Sequence, residues 1–368
     1  MYNEDEMYVL SRQKSDRLLD WYRQNKRILP FRDTGDPYDV WISEIMLQQT
    51  RIEAVVSYFL RFKEEIPDIN SLAEIPEDRL MRLWEGLGYY SRARNLQKCA
   101  RILMEEYDGK IPEDHESLKK LPGIGPYTAG AIMAIAFGKP YPAVDGNVLR
   151  VLARFFGIRE DIRFEAVRKQ VEEIISSFYQ REEILDHRYI SDLTQAFMEL
   201  GALLCIPNGK PLCADCPWKE GCYARRNELT AQIPYRSRNK ERKIIERTLF
   251  IIRTGEDFLL RKRPKKGLLA GMYEFPGIDE KMTEMEVEEY LKQEGFEILR
   301  IRKLPEARHI FSHVEWHMEA YEALVSGDRI SLKEDEILID REGLNELAVP
   351  SAFRTYIDYY ALREGEHL

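Results

Sequence analysis

The sequence predicts a multi-domain protein in which an all-α domain is followed by an α+β domain. Up to about residue 225, apolar residues recur at three- and four-residue spacing, as in the stretches 39–49 and 52–62. A polar, basic segment at 227–242 then precedes a region whose patterns are typical of strands. A chain of 368 residues is also too long for one ordinary hydrophobic core, so two domains are expected.

The composition is that of an ordinary globular protein, with 44% apolar and 32% charged residues. A formal net charge of -9 argues against a protein that coats nucleic acid through bulk electrostatics. A local basic face would still bind phosphate, and eight Lys or Arg stand against three Glu between Arg225 and Thr248. No apolar run approaches the roughly 20 residues that cross a bilayer, and the N-terminus lacks a secretory pattern. We therefore expect a cytoplasmic protein.

The second domain is predicted to contain both strands and helices. Strands are predicted at 247–253 and 258–263, around a hairpin turn at 254–257, and again near 297–303 and 316–325. Helices are predicted at 284–294 and 352–363. This mixture indicates an α+β fold.

Four of the five cysteines lie close together, at Cys205, Cys213, Cys216 and Cys222. A secreted disulfide framework would spread its cysteines through the fold, whereas a tight cytosolic group more often binds metal. Four thiolates in one loop suit either tetrahedral zinc or an iron–sulfur cluster, and the spacing alone leaves both open. The isolated Cys99 is expected to be a buried structural thiol.

The string Leu121-Pro-Gly-Ile-Gly-Pro-Tyr-Thr-Ala-Gly places Gly123 and Gly125 in a short turn before an apolar helix at 131–137. A helix N-terminus reached through such a turn presents free backbone N–H groups to an anion such as a DNA phosphate. Two glycines alone would also fit an ordinary helix–turn–helix corner. The longer string resembles the helix–hairpin–helix of the endonuclease III superfamily of DNA glycosylases.

Asp145 follows about twenty residues later, at the start of another apolar helical run. Its ordinary role would be that of an N-cap. In the superfamily that the chain resembles, this position holds the catalytic aspartate. The two roles are compatible, because an aspartate held at a helix start is immobilised and is expected to stay ionised beside a cationic transition state.

Glu44 interrupts an apolar stretch of a predicted amphipathic helix, where a solvated glutamate would be the ordinary interpretation. The surrounding string, Trp41-Ile-Ser-Glu-Ile-Met-Leu-Gln-Gln-Thr-Arg, resembles the MutY-type adenine DNA glycosylases, in which this glutamate is the general acid. Leu29-Pro-Phe-Arg and Trp84-Glu-Gly-Leu-Gly-Tyr-Tyr-Ser-Arg-Ala-Arg-Asn-Leu resemble the same family. The resemblance covers most of the first domain.

The resemblance implies a monofunctional enzyme that flips and removes adenine paired with 8-oxoguanine or guanine. Glu44 would protonate adenine N7, which requires burial that raises its pKa. Asp145 would stabilise the oxocarbenium ion, with Tyr127 and Asn147 positioning these groups. Relatives that also cleave the backbone carry a lysine at the position of Tyr127, and a phenol cannot form a Schiff base.

Further residues match functional positions of the family. The adenine pocket is expected to be lined by Arg27, Leu29, Arg32, Leu47 and Gln195. The residues expected to wedge into the base stack are Gln49 and Tyr89, with Thr50 and Leu87 beside the lesion. The resemblance favours a four-iron, four-sulfur cluster in the cysteine loop, although the family usually has six residues between the first two cysteines and this chain has seven.

The second domain resembles a degenerate Nudix domain, on the string Gly271-Met-Tyr-Glu-Phe-Pro-Gly followed by a helix. The glutamate-rich helix that a Nudix hydrolase needs for magnesium is missing, so pyrophosphatase activity is not expected. Phe311-Ser-His matches the family loop that recognises 8-oxoguanine, although alone it could be an ordinary strand-end tripeptide. The Ser312 hydroxyl would accept from the N7–H of 8-oxoguanine, while Phe311 and His313 brace the loop.

The predicted organisation is a glycosylase domain at 1–226 with the cluster loop at 205–222, a basic linker at 227–242, and an 8-oxoguanine recognition domain at 243–368. The expected partner is double-stranded DNA, bound by a monomer associated with the nucleoid. An endonuclease III-like glycosylase for another damaged base is the first alternative, and Tyr127 and the Glu44 context count against it. The second is a non-catalytic iron–sulfur DNA-binding protein, which would have no need of paired carboxylates.

Overall fold

The computed structural model describes residues 9–181, 186–237, 241–327, 330–344, 347 and 349–361. The chain divides into two compact units, one comprising Met1–Ile75 with Arg94–Arg238 and the other Pro76–Ala93 with Asn239–Leu368. No helix in the described ranges combines the length and the apolarity that a membrane crossing needs.

Up to Arg226, the described residues form helices and the loops between them, as the sequence predicts. In chain order they are α1 (Arg12–Asn25), α2 (Pro37–Leu47), α3 (Ile52–Glu65), α4 (Ile69–Glu74), α5 (Glu77–Leu83), α6 (Ser91–Glu106), α7 (His115–Lys120), α8 (Pro126–Ala131) with a π-helical continuation (Ile132–Ala136), α9 (Gly146–Phe156), α10 (Glu165–Arg181), α11 (His187–Leu203) and α12 (Tyr223–Arg226).

Helix α9 lies at the centre of one helical core, because every residue from Val148 to Phe156 is buried. The helix ends at Gly157, whose φ of +78° favours glycine. A Cβ atom there would also lie 2.5 Å from the Tyr223 ring. The core includes Phe155, which packs against Trp218 with ring centroids 4.6 Å apart.

The segment predicted as a linker is packed against the helices as far as Ser237. Ile233 is buried, Asp161 accepts a hydrogen bond of 3.2 Å from Ser237 N, and Ile162 N donates to Tyr235 O at 3.1 Å. Residues 238–240 of the predicted linker lie outside the described residues.

The later part of the chain forms a mixed sheet and further helices. The strands are β1 (Lys243–Thr254), β2 (Asp257–Lys262), β3 (Tyr273–Glu274), β4 (Gly277–Ile278), β5 (Ile298–Lys303), β6 (Ala307–Ile310), β7 (Val314–Val325) and β8 (Glu336–Ile339). The helices are α13 (Glu284–Gln293), α14 (Arg341–Leu344) and α15 (Arg354–Ala361), with a 3-10 turn at Ser351–Phe353. The predicted strands, turn and α13 are confirmed; the final predicted helix begins as a 3-10 turn, and its positions 362–363 lie outside the described residues.

The sheet has the order β3-β2-β1-β7-β5, with β1 and β7 parallel and the other pairs antiparallel. Successive residues of β1 point to opposite faces. Leu249 and Ile251 pack into one core, whereas Phe250 and Ile252 pack into another that contains Val287 of α13. Both faces are covered, which explains the continuous apolar run of β1.

Candidate active site

A pair of side chains from two helices forms the centre of the site. The Tyr127 hydroxyl donates a hydrogen bond of 2.5 Å to Oε2 of Glu44. Every residue of α2 from Tyr38 to Met46 is buried, so the prediction of an amphipathic helix is wrong here. Burial raises the pKa of Glu44 to about 7; the Tyr127 hydrogen bond opposes this shift, and the charge of Asp145 adds to it. A carboxyl group in this state can hold a proton at neutral pH.

Asp145 is the N-cap of α9, as predicted, and both of its carboxylate oxygens are used. Oδ1 accepts from Val148 N at 2.8 Å, and Oδ2 accepts from Asn147 Nδ2 at 2.7 Å. Burial raises the pKa of Asp145, and these hydrogen bonds oppose the shift. The expectation that the helix start keeps this group ionised is therefore incomplete, because burial acts in the opposite direction.

Arg150 connects Asn147 to the cysteine loop. Its Nη2 donates to Asn147 Oδ1 at 2.7 Å and to Gly201 O at 2.9 Å, and its Nε donates to Cys205 O at 2.7 Å. A Cβ atom at Gly201 would lie 2.5 Å from Asn147 Cβ, so this close approach requires glycine. The Asn147 amide is thereby fixed, with its oxygen towards Arg150 and its nitrogen towards Asp145.

Arg27 and Arg32, both predicted to line the adenine pocket, bind one buried carboxylate. Glu199 accepts from Nε and Nη2 of Arg27 at 2.9 and 2.8 Å, and from Nη2 of Arg32 at 2.9 Å. Its exposed fraction is 1%. Burial alone would raise the pKa of Glu199, but the hydrogen bonds from the two guanidinium groups lower it to about 2. The carboxylate is therefore ionised and neutralises one of the two positive charges.

Replacing Glu199 with glutamine is expected to lower the free energy of unfolding by roughly 3 kcal/mol, because two guanidinium groups lose a carboxylate partner. The folded-state pKa of Glu199 lies below its ordinary value of 4.5. The stabilisation is therefore complete above about pH 4.5 and is lost as the pH falls towards about 2. Denaturant unfolding at pH 7 and pH 3 measures both effects, and the gap between wild type and variant should narrow at pH 3.

The control for this prediction is Asp192→Asn on the same helix, which removes a carboxylate that pairs with the exposed Arg23 at 3.3 Å. Asp192 is itself buried, but its partner is exposed and reaches it through one contact, whereas Glu199 is bound by two arginines. We therefore expect a smaller loss for Asp192→Asn. A loss for Glu199→Gln no greater than that of the control would contradict the prediction.

The other predicted pocket residues lie on neighbouring segments of the helical unit. Leu29 and Leu47 are half-buried, the first in the loop after α1 and the second at the end of α2. Gln195 is buried on α11, one turn before Glu199, and its Nε2 lies 3.4 Å from Ser191 O. Their contact with adenine stays a prediction.

The predicted wedge residues, Gln49 and Tyr89, share two properties. Both are exposed, and both have left-handed backbone conformations, with φ of 58° and 49°. Residues other than glycine rarely adopt such angles, and those that do are concentrated at functional sites. Of the two residues predicted beside the lesion, Thr50 is half-buried, whereas Leu87 is almost completely covered.

The predicted hairpin glycines lie between α7 and α8. Gly123 has a φ of +80°, and a Cβ atom there would lie 2.8 Å from Asn95 Cβ, so both the backbone and the packing require glycine. Gly125 is the N-cap of α8, which begins at Pro126, earlier than the predicted helix at 131–137. Gly123, Gly125 and Pro126 are exposed, so this turn is open to solvent; its contact with DNA stays a prediction.

The four clustered cysteines surround one cavity, which is lined by Cys205, Cys213, Cys216 and Cys222 together with Arg154 and Arg225. Nη1 of Arg154 lies 3.3 Å from Sγ of Cys205. Burial raises the pKa of Cys216 to about 12, and the other three thiols add to that shift. Among the residues that the structure describes, no three His, Cys, Asp or Glu side chains are grouped to hold a single metal ion. The fifth cysteine, Cys99, is fully buried, as predicted.

Phe311, Ser312 and His313 form the turn between β6 and β7. The Phe311 ring packs edge-on against Trp316 and His309, with centroid distances of 4.8 and 4.6 Å. Ser312 and His313 are exposed, and Ser312 Oγ lies 3.2 Å from His313 Nδ1. Phe311 thus anchors a turn whose hydroxyl is accessible to a ligand.

Comparison with known proteins decides the family. Residues 42–177 match the HhH-GPD superfamily of base excision DNA repair proteins, and residues 248–359 match the NUDIX domain. The chain is 34% identical over 363 residues to the adenine DNA glycosylase of Mus musculus, covering 83% of this chain and 69% of that protein. It is 33% identical over 302 residues to the adenine DNA glycosylase of Buchnera aphidicola, covering 81% and 82%. The chain belongs to the adenine DNA glycosylase family.

Solved structures agree with an adenine DNA glycosylase built on the endonuclease III fold. A thermostable thymine-DNA glycosylase matches with a TM-score of 0.52 at 25% identity, covering 61% of this chain and 98% of that one. An endonuclease III trapped in a covalent complex with DNA matches with a TM-score of 0.50 at 24% identity, covering 62% and 100%. Together with the matches to the two family models, these structures confirm the fold class predicted from the sequence. The relatives show that the protein is a DNA glycosylase of base excision repair.

Two residues of the helical site were assigned no role by the sequence analysis: Arg150 and Glu199. Glu199 carried the signal that Glu44 carried, a carboxylate inside an apolar helical stretch. Arg150 follows Asp145 by five positions, inside a helix whose other residues are mostly apolar.

Proposed function

We propose that the protein is a monofunctional glycosylase that hydrolyses the N-glycosyl bond of adenine mispaired with 8-oxoguanine or guanine. The observation that carries this proposal is the buried Glu44–Tyr127 pair, in which the pKa of Glu44 is raised to about 7 beside Asp145. Burial raises the pKa of both carboxyl groups, but Asp145 accepts two N–H hydrogen bonds that favour its ionised form, whereas Glu44 accepts one from a phenol. The two groups are therefore suited to separate charge-stabilising and acid roles.

The acid step falls to Glu44. Its Oε2 is occupied by the Tyr127 hydroxyl, so Oε1 is the oxygen that can carry the proton to adenine N7. A protonated adenine is a far better leaving group than the neutral base, because the electron pair of the broken bond then stays on an uncharged base. The flipped base would be held by the arginines that Glu199 fixes, together with Leu29, Leu47 and Gln195.

The charge-stabilising step falls to Asp145. As the glycosyl bond breaks, positive charge develops on the sugar, and a carboxylate held in one orientation stabilises it electrostatically or through a transient covalent adduct. The N–H groups of Val148 and Asn147 hold that orientation. Water then completes hydrolysis. Tyr127 cannot form an imine with the sugar, which supports a monofunctional reaction without strand cleavage.

We propose that the cysteine loop binds a four-iron, four-sulfur cluster. The residues that would hold it are Cys205, Cys213, Cys216 and Cys222. These four cysteines line one cavity together with Arg154 and Arg225, whose positive charges suit a cluster held by thiolates. Such a cluster would crosslink the loop. Arg150 contacts both Cys205 O and Asn147, so an ordered loop would help to hold Asn147 in its hydrogen bond to Asp145.

Replacing Cys216 with serine is expected to remove most of the bound iron and its visible absorbance, because a serine hydroxyl is a poor ligand for iron in such a cluster. Cys99→Ser is the matched control, since Cys99 lies outside the loop, and its iron content should equal that of wild type. Iron and acid-labile sulfide assays on purified protein measure both. Stoichiometric zinc without iron in the wild type would contradict the cluster.

The opposite base is proposed to be read by the Ser312 turn. Oxidation converts guanine N7 from an acceptor into an N–H donor, which an exposed hydroxyl can accept. The exposed Ser312 next to a Phe311 packed on Trp316 supports this assignment.

Replacing Ser312 with alanine is expected to lower the preference for adenine opposite 8-oxoguanine over adenine opposite guanine by roughly tenfold, as the loss of one hydrogen bond implies. Single-turnover rates on the two duplexes give the ratio directly. Ser312→Thr, which keeps the hydroxyl, should retain most of the preference. Equal ratios in wild type and Ser312→Ala would remove the serine from lesion recognition.

The deciding experiment is single-turnover adenine release from duplexes that carry adenine opposite 8-oxoguanine, guanine or thymine. Release from the first two, with strand breaks only after alkali, is the expected result for a monomer with these two carboxyl groups. Strand breaks without alkali would contradict the monofunctional reaction. Failure of cluster-loaded protein to release adenine from any duplex would contradict the proposed substrate.

A further inference from the structure

The exposed Tyr89 stands on an unusually constrained loop. Gly86, Gly88 and Tyr89 all have positive φ values, of 92°, 69° and 49°. Two glycines adopt this conformation without penalty, but a tyrosine does so at a steric cost. The side chain of Tyr89 is 42% exposed, whereas Leu87 and Tyr90 on either side are buried. The loop therefore holds one aromatic ring outward in a conformation that the isolated chain would not favour.

Arg92 accounts for this conformation. It lies in the first turn of α6 and is buried, and its Nη2 donates to Leu87 O at 2.9 Å and to Gly88 O at 3.0 Å. Its guanidinium carbon lies 5.5 Å from the ring centroid of Tyr89 and 5.4 Å from that of Trp84. Trp84 Nε1 also donates to Gly88 O, at 3.1 Å. One guanidinium group thus binds the loop backbone and contacts the exposed ring.

We propose that Arg92 is a positioning residue that keeps Tyr89 ready to insert into the DNA base stack. This inference rests on the proposed function, in which Tyr89 is a wedge. A ring that enters a stack of bases must resist being pushed back towards the protein. Both carbonyl oxygens are bound by the one Nη2, whose two N–H groups lie in the plane of the guanidinium group. The flat face of the group therefore stays free to contact the ring, and a lysine ammonium has no such face.

The test compares Arg92→Lys and Arg92→Gln with wild type, each also in a Tyr89→Ala background. The probe is a duplex with adenine opposite 8-oxoguanine and a fluorescent 2-aminopurine next to the mispair. The fluorescence change on binding measures the unstacking of the 2-aminopurine, and the rate of base release is measured on the same duplex. Arg101→Lys is the matched control, because Arg101 is also on α6 and donates to a backbone carbonyl, Ala73 O, at 3.1 Å.

We expect each Arg92 substitution to reduce both the unstacking amplitude and the release rate by about tenfold when Tyr89 is present. In the Tyr89→Ala background the same substitutions should change either quantity less than about twofold, because coupled residues are non-additive. Arg101→Lys should behave as wild type.

Equal losses with and without Tyr89 would overturn the proposal, because Arg92 would then act on overall structure or on phosphate. If Arg92→Lys fails to fold, Arg92→Gln still keeps neutral donors for the carbonyls. The comparison of Arg92→Gln with and without Tyr89 then tests the proposal. If the wild type unstacks the reporter but releases no adenine, the proposed substrate fails while the positioning role of Arg92 is still read from the fluorescence.

Discussion

Glu44→Gln is expected to reduce the single-turnover rate of adenine release by about 10³-fold, the middle of the range for a lost general acid. Glutamine keeps the shape of the side chain and can still accept a hydrogen bond from the Tyr127 hydroxyl. In the wild type this hydroxyl lies 2.5 Å from Glu44 Oε2. What it lacks is a proton that it can transfer to adenine N7. The loss should therefore appear in the chemical step and leave DNA binding nearly unchanged.

The pH dependence of the wild type should identify the same group. Because burial raises the pKa of Glu44 to about 7, the acid form predominates below pH 7. The rate should fall as the pH rises through about 7, with a slope set by one proton. Glu44→Gln should show no such fall, and a wild-type rate that is flat from pH 6 to pH 9 would contradict the assignment.

Glu44→Gln should lose activity without losing stability. A raised folded-state pKa means that an ionised Glu44 is unfavourable in the folded protein, and that this cost develops between pH 4.5 and about 7. Glu44→Gln is therefore expected to be at least as stable as wild type at pH 8, which shows that lost activity is not lost folding. Glu172→Gln on α10, where burial also raises the carboxyl pKa, is the matched control and should keep full activity.

Asp145→Asn is expected to lower the rate by roughly 10²- to 10³-fold, because the carboxylate charge that stabilises the oxocarbenium ion is lost. Asparagine is also a good N-cap, so the start of α9 should survive. The new amide nitrogen would, however, face Asn147 Nδ2. The Asn147 amide cannot flip to present its oxygen, because Arg150 binds that oxygen. Two donors would then oppose each other, so the variant side chain should turn from the wild-type orientation.

The matched control for Asp145→Asn is Asp186→Asn. Asp186 is the N-cap of α11 and accepts from Tyr189 N at 2.7 Å. Both variants change a capping aspartate to asparagine, but only Asp145→Asn sets two amide donors against each other, so its unfolding midpoint should fall further than that of Asp186→Asn. Only Asp145→Asn should lose activity. If both variants lose activity equally, the effect of Asp145 comes from helix capping and not from its charge.

Local features of the sequence were sufficient for much of the site. The period of apolar residues predicted the helices, and the position of Asp145 before an apolar run predicted its cap, because both depend on residues within one or two turns. Family resemblance supplied Glu44, Tyr127 and Asn147 as candidates. The strands β1 and β2 and the turn between them were predicted for the same local reason.

Electrostatic pairing could not be predicted in this way. Glu199 lies 172 residues from Arg27 and 167 from Arg32, so no local pattern links them, and only the packing of α11 near the loop after α1 brings them together. The upward shift in the pKa of Asp145 was missed for a related reason. The cap hydrogen bonds that favour its ionised form are local, whereas the burial that opposes them is a property of the whole fold.

The sequence by itself determined that a helical part precedes a part with strands and helices, and it also determined the cap at Asp145, the cysteine loop and the family. Tertiary structure alone decided that Glu44 is buried against Tyr127, that Glu199 joins two arginines, and that Arg92 supports the exposed Tyr89. The physical reason is range. Capping and periodicity act over a few residues, but burial and charge pairing depend on which distant segments pack together.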